Sequence, residues 1–163
     1  MIRSATPNDA ASICDIYNYY VTQTIVTFEE ELVEVSDMAM RIQSVNEKYF
    51  WFVYEHQGQI VGYAYAGEWK SRCSYRFSVE ISVYLKDGYS GIGIGSKLYS
   101  TLLTALESTE VHALIGGISL PNPESVALHE KFGFEKIAHF KEVGFKFNQW
   151  IDVGYWEKVL DKR

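Results

Sequence analysis

The sequence feature that most limits the fold is the stretch 79–106, VEISVYLKDGYSGIGIGSKLYSTLLTAL. In its first six residues apolar and polar side chains alternate, which is typical of a strand with one buried face. Leucines recur at helical spacing after residue 96, and Ser96 is the predicted N-cap of that helix. The pattern therefore predicts a strand, a glycine-rich loop and a helix in direct succession.

The loop of this segment has the composition of an anion site. Its residues are Gly91, Ile92, Gly93, Ile94, Gly95 and Ser96. Glycine lets a bound anion come close to the backbone, and the start of a helix offers N–H groups and the positive end of its dipole. We expect these residues to bind a phosphate or pyrophosphate. A glycine-rich turn without a ligand is the alternative.

Two common phosphate motifs do not fit this loop. The dinucleotide fingerprint would have Ser96 in its third glycine position, and the next predicted strand, 112–118, ends without the required acid. A P-loop requires Gly-Lys-Ser/Thr, whereas the order here is Gly95-Ser96-Lys97. The loop resembles the acetyl-coenzyme A loop of the GNAT acyltransferases, Gln/Arg-x-x-Gly-x-Gly/Ala, with Ser90 in the Gln/Arg position.

Length and composition bound the remaining possibilities. The 163 residues, 47% of them hydrophobic, suit one domain over 1–163. A net charge of -6 argues against a nucleic-acid surface. The chain has no apolar run of bilayer length and no signal peptide, and Cys14 and Cys73 match no metal or redox spacing. We therefore expect a cytoplasmic protein with no membrane partner, no metal and no covalent enzyme intermediate.

The rest of the chain predicts an α+β fold with a mixed, mostly antiparallel sheet flanked by helices. Strands are predicted at 2–5, 48–55, 60–66, 79–84, 112–118, 134–141 and 147–158. Helices are predicted from the Thr6 cap to about residue 20, from the Ser36 cap to about residue 45, and from residues 120–124 to Gly133, with 24–31 as a loop.

A second block, LPNPESVALHEKFGF over 120–134, strengthens the resemblance. Asn122, Ser125 and His129, followed by Gly133-Phe134, have the order of the last conserved block of GNAT enzymes, with His129 in the place of a tyrosine. With WKSRCSYRFSVEISVYL and VGFKFNQWIDVGYWEK, it is similar to the phosphinothricin/methionine sulfone (sulfoximine) acetyltransferase branch. The likeness extends from Ile2 to Lys158 and implies the GNAT fold and an acetyl-CoA-dependent N-acetyltransferase.

Acetyl transfer to an amine needs a base, and Glu80 is the candidate. A carboxylate within an apolar strand is costly unless it faces a polar cleft; a surface glutamate paired with Arg76 is the alternative. The resemblance favours the base. His129 titrates near neutral pH, and its position implies a part in proton transfer, to the departing thiolate or from the amine. The alternative is a half-buried helix histidine bonded to a backbone carbonyl.

The resemblance also implies the binding residues. Asn122 and Ser125 would contact the pantetheine arm, and a backbone N–H of Ser82, Val83 or Tyr84 would hold the thioester carbonyl. Arg72 and Arg76 are the predicted carboxylate or phosphinate ligands, since guanidinium groups bind such oxygens in pairs; solvated charges are the alternative. Phe28 would wall the substrate pocket. The family pattern KxxxWxD fits Lys146, Trp150 and Asp152, for which a structural role in the last hairpin is an equal alternative.

The predicted function is acetylation, by direct attack in a ternary complex, of the α-amine of a phosphinothricin-like or methionine sulfoximine-like amino acid. Two other hypotheses remain: a GNAT enzyme acting on peptide N-termini or polyamines, and an acetyl-CoA-binding module without turnover. The resemblance implies a homodimer, and a surplus of aromatic residues fits such a surface. Those residues are Tyr17, Tyr19, Tyr20, Tyr75, Trp150, Tyr155 and Trp156.

Overall fold

The structure is a computed structural model that describes residues 1–161. Helices α1 to α4 are Ala10–Gln23, Val35–Asn46, Ile94–Glu107 and Pro123–Lys131. Strands β1 to β7 are Ile2–Ser4, Trp51–His56, Gln59–Glu68, Ser78–Leu85, Ala113–Leu120, Glu135–Lys146 and Gln149–Val159. Single 3₁₀ turns occur at Pro7–Asp9 and Cys73–Tyr75.

The strands have the order β1-β2-β3-β4-β5-β7-β6. The pairs β1–β2, β2–β3, β5–β7 and β6–β7 are antiparallel, and β4–β5 is parallel. The predicted mixed, mostly antiparallel sheet with flanking helices is confirmed. The β4–β5 ladder covers only Ser78, Val79 and Glu80 of β4, although β4 continues to Leu85.

The chain forms two compact units. The first contains 1–18, 33–67 and 81–110, and the second contains 19–32, 68–80 and the chain from residue 111 onward. Strand β4 gives its first three residues to the second unit and the others to the first. That 1–163 behaves as one domain stays a prediction, and residues 162–163 lie outside the described part.

Each unit buries its own apolar cluster. In the first unit α3 buries leucines at helical spacing, and in the second unit β5, β7 and the short connection between α4 and β6 supply the buried side chains. The main members are Leu98, Leu102 and Leu106 in the first unit, and Leu114, Ile118, Phe134 and Trp156 in the second. Tyr17 and Trp156 belong to these clusters, so they are not part of the expected aromatic surface.

Several predicted boundaries are wrong, including the start of β2 and the end of β6, which are Trp51 and Lys146 and not residues 48 and 141. Helix α3 begins at Ile94 with Gly93 as N-cap, not Ser96, because a left-handed φ of 88° at Gly93 ends the loop earlier. Helix α2 begins at Val35 after Glu34, so Ser36 lies in its first turn. Phe147 and Asn148, at φ 50° and 61°, form the β6–β7 turn, whereas the sequence predicted a strand from Phe147.

Candidate active site

Two successive glycines on β5, in the second unit, organise the candidate site. Gly116 and Gly117 pair with Trp156 and Tyr155 of β7. Neighbouring positions on a strand face opposite sides of the sheet, so the missing side chains leave room on both sides of β5. Each space is filled by one of the two side chains that the sequence predicted to be catalytic.

Glu80 occupies the space beside Gly117. A Cβ on Gly117 would lie 3.3 Å from Oε1 of Glu80 and 3.2 Å from Cε1 of Tyr155. The half-buried Tyr155 ring also meets Trp69 and Phe140 edge-on, with centroids 5.5 and 5.7 Å away. Glu80 and Tyr155 therefore lie on either side of a glycine within an aromatic surround.

This surround shifts the titration of both groups. Burial raises the pKa of the Glu80 carboxyl, and the positive charge of Lys70 partly opposes that shift. Burial, with the negative charge of Glu80, raises the pKa of the Tyr155 hydroxyl. Glu80 thus holds a proton at higher pH than an ordinary glutamate, as a general base for an amine requires, and Tyr155 stays protonated as a hydrogen-bond donor.

His129 occupies the space on the other side of β5. Its Nε2 lies where a Cβ on Gly116 would be, and its ring meets Phe134 edge-on at 5.3 Å. The side chain is 3% exposed, and Nδ1 lies 2.7 Å from the carbonyl oxygen of Ser125. Since that oxygen can only accept, Nδ1 carries the hydrogen, and burial lowers the pKa of the ring.

The structure therefore separates the two predicted catalytic residues by the β5 backbone. Hydrogen on Nδ1 and a pKa lowered by burial favour the neutral form of the His129 ring. The helix that carries it, α4, has Asn122 as its N-cap, and the Oδ1 of Asn122 accepts a hydrogen bond of 3.2 Å from the N–H of Ser125. Asn122 and Ser125, the predicted pantetheine contacts, thus lie in the first turn of α4.

The predicted phosphate loop lies in the first unit. Gly91 and Gly93 have φ of 77° and 88°, and a Cβ on either would meet no atom within 4 Å. Backbone geometry and not packing therefore requires these glycines. With Ile94 as the first residue of α3, the loop brings backbone N–H groups to a helix N-terminus, and this geometry fits a pyrophosphate. Ser82, Val83 and Tyr84 lie beyond the last β4–β5 pair.

The predicted substrate residues lie in the second unit. Arg72 and Arg76 flank the 3₁₀ turn Cys73–Tyr75, and both are exposed. Arg76 donates to the carbonyl oxygen of Cys73 at 3.1 Å and lies 4.3 Å above the Phe77 ring. The positive charge that acts on Glu80 is that of Lys70, so a surface pair of Glu80 with Arg76 is not what this structure has.

Phe28 and the KxxxWxD residues also lie in the second unit. The Phe28 ring covers Gly144 and stays 42% exposed. Lys146 is buried, Trp150 is 65% exposed, and Asp152 accepts hydrogen bonds from His139 Nε2 and the Glu142 N–H, both at 2.8 Å. The hydrogen bonds of Asp152 are the main cause of its lowered pKa.

The sequence interpretation missed Tyr155, Lys70 and the paired glycines. The signal was available for the glycines: a Gly-Gly pair inside the strand ALIGGISL indicates a close approach by other groups. No local pattern distinguishes Tyr155 from the other tyrosines, because its role depends on the β5–β7 register.

Two features are absent from the part of the chain that the structure describes. Within 1–161 no group of three or more His, Cys, Asp or Glu is arranged to hold a metal ion. No helix in that part of the chain has the length and apolar character needed to cross a membrane. Cys14 is a buried free thiol and Cys73 an exposed one.

Comparison with known proteins gives a consistent result. Residues 2–154 match the model of the acetyltransferase (GNAT) domain. The chain is 36% identical to phosphinothricin N-acetyltransferase of Streptomyces viridochromogenes, over 98% of this chain and 87% of that protein. It is 33% identical to the L-methionine sulfoximine/L-methionine sulfone acetyltransferase of Salmonella typhimurium, over 99% of this chain and 95% of that protein.

A solved structure agrees with these relatives. The GNAT-superfamily phosphinothricin acetyltransferase of Sinorhizobium meliloti, crystallised with acetyl-CoA, superimposes with a TM-score of 0.94 at 34% identity. The match covers 98% of this chain and 88% of that one.

Proposed function

Because the chain belongs to the GNAT acetyltransferase family, we propose that it transfers the acetyl group of acetyl-CoA to the α-amine of a small amino acid. The acceptors we propose are of the phosphinothricin, methionine sulfone or methionine sulfoximine type, which the names of its relatives specify. The observation that carries the proposal is the Glu80 carboxyl beside Gly117 and Tyr155, with a raised pKa.

The proposed reaction is a direct transfer within a ternary complex. Glu80 takes one proton from the acceptor ammonium, directly or through a water, and leaves a nitrogen lone pair that can attack. The Tyr155 hydroxyl offers a hydrogen bond to the acceptor. Bound acetyl-CoA would supply the thioester: an N–C bond replaces the C–S bond, and the sulfur leaves with the bonding electrons as a thiolate. The attacking nitrogen then loses its second proton, which the thiolate takes up, so the products are the acetamide and the free thiol of coenzyme A.

The proposed cofactor residues are those of the loop and of α4. The backbone N–H groups of Gly91–Ser96 would hold the pyrophosphate, and those of Ser82–Tyr84 the thioester carbonyl. Asn122 and Ser125 would bind the pantetheine arm. His129 is proposed as a positioning residue, because its Nδ1–H bond to the Ser125 carbonyl fixes the turn that holds both.

Charge supports an acidic acceptor over a polyamine. Arg72 and Arg76 are exposed guanidinium groups on one short turn, ahead of Glu80 in the chain. Such groups bind carboxylate, phosphinate or sulfonyl oxygens and repel a polycation. Phe28 would supply the apolar wall for the acceptor side chain.

The test of this function is free-thiol release from acetyl-CoA with a panel of acceptors. The panel contains phosphinothricin, methionine sulfone, methionine sulfoximine, ordinary amino acids, spermidine and an alanine-starting peptide. We expect the highest kcat/KM with the first three and a large loss for Arg72→Gln with these acceptors alone. Activity confined to the peptide or spermidine would refute the substrate class, and binding of acetyl-CoA without turnover would favour an acetyl-CoA-binding module.

We also propose a homodimer located in the cytoplasm. The β6–β7 hairpin exposes large apolar side chains, an arrangement that a second copy of the chain would cover. They are Ile137, Phe140, Val143, Phe145, Phe147 and Trp150. Sedimentation should give twice the 18.7 kDa chain mass, and Trp150→Glu should give the monomer; a monomeric wild type would refute the dimer.

The proposed location in the cytoplasm is supported by the free thiols of Cys14 and Cys73, which fit a reducing compartment.

A further inference from the structure

The segment between α1 and α2 carries Phe28 but has no helix or strand of its own over 24–34. Several of its hydrogen bonds are local: Thr24 Oγ1 donates to the Tyr20 carbonyl at 3.0 Å, and Thr27 Oγ1 accepts from the Glu29 N–H at 3.3 Å. Such bonds fix short turns and leave the direction of the segment to its tertiary contacts.

One of these contacts is a buried ammonium group. Lys146, on β6, is 2% exposed, and its Nζ donates to the carbonyl oxygens of Thr27 at 2.7 Å and Tyr20 at 3.4 Å. Burial of a lysine is costly, so these carbonyls provide the compensation that the charge needs, and burial still lowers its pKa. The two bonded carbonyls lie seven residues apart, so one side chain ties the end of α1 to the residue before Phe28.

The other contact is the packing of Phe28 against Gly144, which has no side chain. The Phe28 ring fills the space where a Cβ on Gly144 would be. Gly144 and Lys146 are two apart on β6, so both face the same side of the sheet. One side of the hairpin thus contacts two successive residues, Thr27 by a hydrogen bond and Phe28 by packing.

That side is also the Glu80 side. Gly144 pairs with Ile151 on β7, and Ile151, Val153 and Tyr155 alternate onto one face. Tyr155 is the residue that flanks Glu80 across Gly117. Phe28 and Glu80 therefore belong to the same face of the sheet in the second unit.

We propose that Lys146 and Gly144 are positioning residues that set the place of Phe28 and, through it, the fit of the acceptor side chain. The inference rests on the proposed function, because it takes this face as the acceptor side. It assigns a role to the lysine of the KxxxWxD pattern and adds Gly144, which that pattern does not mark.

The test combines a substitution that creates a steric clash with a second substitution that removes it. Gly144→Ala inserts a methyl group where the Phe28 ring lies, and Phe28→Leu makes room for it. We expect Gly144→Ala to raise KM for methionine sulfoximine about tenfold, with little change in kcat or in KM for acetyl-CoA. In the Phe28→Leu background the same substitution should have no further effect, because the clashing ring is gone. Equal effects in both backgrounds would overturn the inference.

Lys146→Met removes the ammonium and keeps the apolar stem, with exposed Lys141→Met on the same strand as the control. We expect faster amide exchange over 24–32 and a higher acceptor KM in Lys146→Met, and neither in the control. Unchanged exchange and KM would refute the role of Lys146. Lack of turnover by the wild type with every amino acid would refute the proposed function instead, while exchange over 24–32 would still report on the Lys146 contact.

Discussion

The two sides of β5 are built alike and behave differently. On each, a glycine makes room for a titratable side chain: Gly117 for Glu80 and Gly116 for His129. Burial is the leading cause of both pKa shifts, and it disfavours whichever form is charged. The carboxyl therefore becomes a stronger base, whereas the imidazole stays neutral.

The difference indicates a division of work. Glu80 is half-buried beside Tyr155, on the side where we propose that the acceptor amine binds, and its raised pKa suits proton transfer. His129 is closed off by Phe134 and bonded to its own helix. We infer that the Glu80 side governs the chemical step and that the His129 side governs the geometry of α4.

The largest effect that this comparison predicts is on turnover. Glu80→Gln should lower kcat about 10²–10³-fold near pH 7, because the amide cannot accept the amine proton. The deficit should shrink as pH rises, since more of the acceptor is then already a free amine. The measurement is kcat and kcat/KM from pH 6 to 10, by thiol release.

Glu157→Gln is the matched control for this variant. Glu80 and Glu157 both pair with Ile115, from the strands on its two sides, so they share a face. We expect a wild-type pH profile for the control. Parallel profiles of Glu80→Gln and wild type at all pH values would remove Glu80 as the base.

A smaller effect is predicted for alanine at the two glycines. Gly116→Ala should displace His129 and destabilise the protein by about 1–3 kcal/mol, because the new methyl overlaps a buried ring. It should raise KM for acetyl-CoA through α4. In Gly117→Ala the new methyl would make tight contacts of 3.2–3.3 Å with Tyr155 and Glu80. Compared with Gly116→Ala, this variant should therefore have the larger loss of kcat and the smaller loss of unfolding free energy.

Denaturant unfolding and steady-state kinetics on both variants check this contrast. Gly67→Ala is the control for stability, because a Cβ there would have its nearest contact at 3.9 Å. Similar losses of kcat and of stability in the two variants would mean that the two sides of β5 are not specialised.

The sequence predicts those parts of the fold and of the site that depend on neighbouring residues, and it does not predict the contacts between residues that are distant in the chain. The strand, loop and helix of 79–106 follow from alternation, glycine and helical spacing, all of them local. The position of Glu80 on the face opposite to the buried Val79 and Ile81 followed from the same alternation. Its neighbours did not, since Tyr155 reaches it only through the β5–β7 register, which no nearby residue specifies.

The surroundings of three other residues have the same explanation. His129 fits a motif by its spacing, but the side of β5 that it faces is set by how α4 packs on the sheet. Lysine side chains are usually exposed, but Lys146 is buried because its ammonium group contacts two carbonyl oxygens that are distant in the sequence. Phe147 is an unusual residue for a left-handed turn, so composition predicted a strand there.

The smallest predicted effect is on the pH dependence of stability, where the two sides should have opposite signs. The folded-state pKa of Glu80 is raised, so its contribution is complete below the ordinary glutamate value of about 4.3 and is lost as pH rises toward the folded pKa. The folded-state pKa of His129 is lowered, so its contribution is complete above about 6.5 and is lost as pH falls toward the folded pKa.

Melting temperatures of wild type, Glu80→Gln and His129→Asn from pH 4 to 8 check these signs. Glu80→Gln should melt higher than wild type at pH 7, because it no longer buries a charge, and the gain should vanish near pH 4. His129→Asn should melt lower than wild type at pH 8, since a packed ring is lost, and the deficit should narrow below pH 6.5. A pH-independent difference in both variants would mean that burial does not act on these groups in opposite directions, and the division between the two sides of β5 would lose its electrostatic basis.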